Sequence, residues 1–83
     1  MTGLSAAHAA PANHAAAITP SDSTALATPS RFLVAGVAGN VKVDTLGGET
    51  AVVVYLGLGY HLPLRVTKIY ATGTTATGIV SLW

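Results

Sequence analysis

Asn40-Val41-Lys42-Val43-Asp44-Thr45-Leu46-Gly47-Gly48-Glu49-Thr50-Ala51-Val52-Val53-Val54-Tyr55-Leu56 carries the strongest folding signal in this chain. Val41 and Val43 share one parity while Lys42 and Asp44 share the other, which is the period of a half-buried strand. Thr45 to Glu49 then holds two glycines, which reach the positive φ angles that hairpin turns demand. Beyond the turn, Ala51 to Leu56 is apolar on both parities. That pattern belongs to a central strand, or to one whose outer face is covered by another segment or another subunit.

Working outward from this hairpin, turn-bounded segments recur at spacings typical of an all-β module. Arg31 to Gly36 reads as a first strand, Asn40 to Thr45 as a second and Thr50 to Leu56 as a third. Tyr60 or His61 to Ala71 reads as a fourth and Thr77 to Trp83 as a fifth. Between the third and fourth, Gly57, Gly59 and Pro63 imply a bend, bulge or edge position. After Pro63, Leu64, Val66 and Lys68 share one parity and Arg65, Thr67 and Ile69 the other, so a bulge near Lys68 is needed to keep Ile69 inside. Ala71 to Gly78, ATGTTATG, is a loop of small residues that admits close approach by another backbone. The expected fold is all-β, a small antiparallel β-sandwich or barrel of about five or six strands. Leu33, Val53, Val66, Ile79 and Trp83 are expected to be buried, within the domain or between subunits. Trp83 is included for the large apolar surface its ring buries.

Residues 1–30 contrast with this β-domain of residues 31–83. Asp22 is their only charged residue, and Pro11, Pro20 and Pro29 divide an Ala-rich run. An extended N-terminal arm is expected, with room for a short helix between Pro11 and Ile18 and turn chemistry from Ile18 to Thr24. Such an arm would become ordered against a neighbouring subunit, so its deletion is expected to leave the domain folded and to impair assembly. The start lacks the basic segment and strongly apolar centre of a secretory signal.

Composition bounds the function. Charged residues make up 8% of the chain and hydrophobic ones 51%, against roughly 25% charged in an average soluble domain. A chain of this size buries only about 60% of its unfolded surface. With no cysteine and three histidines, association with other subunits is the remaining source of stability. The absence of cysteine leaves the redox compartment open. The net charge is +1, and Arg31, Lys42, Arg65 and Lys68 are isolated from one another, so neither nucleic acid nor an anionic membrane surface is an expected partner.

Catalysis needs a nucleophile with a base, or paired carboxylates. Asp22, Asp44 and Glu49 are the only acids, and Asp44 and Glu49 flank the hairpin turn as solvated turn residues. His61 lacks companion ligands and reads as structural, while His8 and His14 fall in the arm. The glycine stretches lack the lysine of a phosphate-binding loop. No enzyme, cofactor or metal site is expected. Tyr55, Tyr60, Tyr70 and Trp83 among Thr-rich loops leave an alternative, a small β-sheet module that binds carbohydrate or a cell surface.

Several segments together resemble a known family. They are Ile18-Thr19-Pro20-Ser21-Asp22, Arg31-Phe32-Leu33-Val34, Gly39-Asn40-Val41-Lys42-Val43, Gly47-Gly48-Glu49-Thr50, Leu62-Pro63-Leu64-Arg65-Val66 and the run from Ala71 to Val80, followed by a final aromatic residue. In order and spacing they resemble small tailed-phage virion proteins, in particular the head-spike base and capsid decoration family also found in gene transfer agents. The pattern departs at Tyr55 to His61, where the family carries a short Pro-containing segment. The resemblance implies a structural virion protein on the capsid exterior, a decoration protein or head-spike base that assembles as a homo-oligomer, either a trimer or a pentamer. Its implied partners are the major capsid protein, copies of itself and a spike or fibre protein. Ile18, Thr19, Pro20 and Asp22 carry over as an arm contact.

Overall fold

The hairpin expected at residues 40–56 supplies two of the three strands of one of two sheets. The computed structural model describes residues 11–59 and 61–83. Tyr60, His8 and the first ten residues of the start weighed as a secretory signal lie outside the described residues. In chain order the strands are β1 (Ala15–Ala17), β2 (Phe32–Val34), β3 (Gly39–Thr45), β4 (Val52–Leu56), β5 (Val66–Ile69) and β6 (Val80–Leu82). They form two three-stranded antiparallel sheets, ordered β1-β6-β2 and β4-β3-β5.

The alternation in β3 sets the inside of the second sheet: Val41 and Val43 are buried, and their registered partners Val54 and Val52 lie beside them on β4. The parity conflict in β5 is resolved by a bulge. Asp44 pairs with Lys68 but Thr45 pairs with Val66, so Thr67 is the extra residue. Val66 and Ile69 are therefore both buried although their positions differ in parity. Leu33, Val41, Val43, Leu56, Val66, Ile69, Ala76 and Ile79 form the core, with Ile18, Leu26 and Leu64 packed against it.

Three expectations are corrected. The stretch after Pro11 contains a strand and not a short helix: isolated helices this short are marginal, whereas the edge of β6 offers a ready ladder. Trp83 O accepts from both Asn13 N and His14 N at 2.6 Å, and Ala15 to Ala17 register with Leu82 to Val80. The fourth strand is regular only from Val66, because Pro63 has no N–H to donate and Leu62 contributes a single bridge to Leu33. Finally, β4 is an edge strand and not a central one. Its apolar outer parity faces outward instead of being covered by the arm.

Residues 11–30 are extended, and they run along their own chain. Ile18 N donates to Ile79 O, Ser21 N to Ile69 O, Leu26 N to Thr67 O and Ser30 N to Val66 O. The outer edge of β5 is thereby closed, which removes one template for unwanted pairing. The ATGTTATG loop closes β3 in the same way: Asn40 N donates to Thr75 Oγ1 and Lys42 N to Thr74 Oγ1, at 2.8 and 3.0 Å. The close approach expected of this loop is to its own Gly36 and Gly39.

Two buried serines make a matched test. Ser30 Oγ donates to Leu64 O at 2.8 Å and accepts from Val66 N at 3.0 Å, whereas Ser81 Oγ is buried with no partner among the described residues. Leaving buried backbone groups unpaired costs about 1 to 3 kcal/mol, while removing an unpaired hydroxyl costs nothing of that kind. Urea titration is expected to show Ser30→Ala destabilised by about 2 kcal/mol and Ser81→Ala unchanged or more stable by about 1 kcal/mol. Equal losses from both would contradict these assignments.

Candidate assembly surface

With the core filled, the apolar groups left exposed mark the candidate surface. On β4, Val54 and Leu56 turn inward, so Val53 and Tyr55 project from the opposite face, where their partners are Lys42 and Asn40. Val53 is 54% exposed, Tyr55 60% and Leu58, in the following turn, 66%. The outer edge of β4 has no backbone partner among the described residues. Neither lysine nor proline guards it, the usual protection of an exposed edge. The segment from Ala51 to Gly59 also carries no charge.

The first sheet presents a second apolar surface. Its inward row is Ala16, Ser81 and Leu33, so the rows Ala15–Leu82–Phe32 and Ala17–Val80–Val34 face outward. All six outward residues are apolar, and alternation with polar residues, the sign of a solvated face, is missing. At one end of this face lies a cleft of about 540 Å³, lined among others by His14, Ala15, Phe32, His61 and Leu82. The His14 ring stacks on Trp83 with centroids 5.4 Å apart, and His61 meets Phe32 edge to face at 4.9 Å. The Arg31 guanidinium lies 5.9 Å from the Phe32 ring centroid.

The charged groups are occupied in holding the structure. Asp44 Oδ1 accepts from Ala51 N at 2.9 Å and from the Tyr70 hydroxyl at 2.8 Å, and Lys42 and Lys68 place their ammonium groups over the Tyr70 ring. Glu49 accepts from the Thr45 hydroxyl. Asp22 accepts from Thr72 Oγ1 at 2.6 Å and Thr72 N at 2.9 Å, latching the arm to the ATGTTATG loop. Asp44 and Glu49 thus serve separate turn contacts and do not face each other as an acid pair. Among the described residues no cluster of three His, Cys, Asp or Glu side chains is placed to hold a metal.

These bonds fix the sign of a pH effect. The Thr72 hydroxyl and amide hold Asp22 below its ordinary value of 3.8, and the Ala51 amide and Tyr70 hydroxyl do the same for Asp44. The bond to Asp44 raises Tyr70 above its ordinary 10.0. A lowered carboxylate contributes stability that is present above its unfolded value and lost as pH falls through the folded one. A raised phenol contributes stability that is lost as pH rises through its folded value. The urea midpoint is expected to be flat between these limits, to fall below about pH 4 and to fall again above about pH 10. Asp22→Asn should reduce the acid drop, and an unchanged acid limb would contradict the latch.

The expected residues fall into distinct places. Leu33, Val66 and Ile79 are buried, Trp83 is half-buried against His14, and Val53 is exposed on β4. Ile18 and Pro20 are half-buried beside Ala76 and Ile79, Thr19 is exposed, and Asp22 holds Thr72. Ile18, Pro20 and Asp22 each contact residues elsewhere in their own chain. Among the described residues the aromatic side chains do not gather into one platform: Tyr55 lies on β4, Tyr70 follows β5 beside β3, and Trp83 follows β6 at the end of the first sheet. His14, Phe32 and His61 converge unannounced by any local motif. The missing polar alternation in Phe32–Val34 and Val80–Leu82 was the available signal.

No protein-family model matches the chain, and no curated protein matches it. Among solved structures, it superposes on a chain of the capsid of a native gene transfer agent (GTA) particle, computed with C5 symmetry, with a TM-score of 0.80. The two are 38% identical, over 92% of this chain and 88% of the other. Identity at that level over nearly the full length of both makes the relation one of sequence as well as fold, and the chain belongs to the family of that gene transfer agent capsid component.

Proposed function

We propose that the protein is a structural subunit on the outside of a phage-like capsid, a decoration protein or head-spike base that assembles as a homo-oligomer. Membership in the family of a gene transfer agent capsid chain carries this reading. The role is structural and not catalytic: the carboxylates are tied to turns and latches, and the exposed surface along β4 and its following turn is apolar and uncharged. An apolar face on the first sheet and an open apolar edge on β4 are what a subunit with neighbours on more than one side requires. Its partners are then the major capsid protein and further copies of itself, with a spike or fibre protein seated above it. Weak contacts repeated over many copies hold such a subunit in place.

The test is add-back. Particles from cells lacking the gene are expected to form closed heads, and the purified chain is expected to bind them saturably and appear as extra density on their outer surface by electron microscopy. Failure to bind such heads, or binding only inside opened shells, would remove the exterior reading.

A further inference from the structure

We draw no further inference here: the strongest candidate, the outer edge of β4 with the exposed Val53, Tyr55 and Leu58 beside it, which has no backbone partner among the described residues, carries nothing beyond the assembly surface already described, because nothing in the structure shows what covers it.

Discussion

A chain that begins at Arg31 will fail to fold. Removing residues 1–30 takes away β1, and with it an entire edge of the first sheet, so Val80, Ser81 and Leu82 lose their partners on that side. It also exposes the carbonyls of Val66, Thr67 and Ile69, which now accept from Ser30, Leu26 and Ser21. Ile18 and Leu26, half-buried against the core, are lost, each removing part of the about 1.5 to 3 kcal/mol that full burial of such a side chain is worth. Ser30, which ties Leu64 to Val66, is lost as well. Each hydrogen bond adds about 1 kcal/mol, and a small domain has only about 5 to 15 kcal/mol in total. Urea titration of the truncated chain by far-UV circular dichroism is expected to show no cooperative transition. A transition with the midpoint of the full chain would mean that the arm is separable and acts only in assembly.

Gly39→Val is expected to have the largest effect of any single substitution considered, a loss of about 3 kcal/mol or more. A Cβ at Gly39 would stand 2.6 Å from the Ala76 amide nitrogen and from Thr75 Oγ1, and 2.8 Å from the Thr75 carbonyl carbon. Backbone cannot yield as a side-chain tip can. The loop must therefore lift away, breaking the bonds from Asn40 N to Thr75 Oγ1 and from Thr75 N to Asn40 O. With those gone, β3 has an unpaired edge beside the core. The control is Gly48→Ala, at φ +111° with nothing near its missing Cβ, where left-handed strain alone costs about 1 to 2 kcal/mol. Equal urea midpoints for wild type and Gly39→Val would refute the close approach.

How much of this was legible in sequence depended on how local the cause was. The hairpin at residues 40–56 was legible because valine and charge alternate in β3 and glycines sit at the turn. The bulge followed from the parity of Val66 and Ile69, a purely arithmetic conflict. Strand β1 was not legible, because Ala-Ala-Ala has no strand preference and becomes a strand only by lying against β6. The position of β4 was ambiguous for a different reason. Val52 to Leu56 is apolar on both parities, a pattern shared by buried strands and by open edges waiting for a partner. The latch between Asp22 and Thr72 and the cleft between His14, Phe32 and His61 join residues far apart in the chain, and no spacing rule reaches across that distance. The surface that matters most was therefore the part the sequence concealed, since exposure is decided by which edges the fold closes.

The proposed place of this chain on the outside of a capsid is measured best on intact particles. Particles purified from the producing cells should contain the chain in fixed ratio to the major capsid protein, and gold-labelled antibody against it should decorate unbroken heads at regular positions. Its absence from purified heads, or labelling only after the heads are broken open, would contradict the claim.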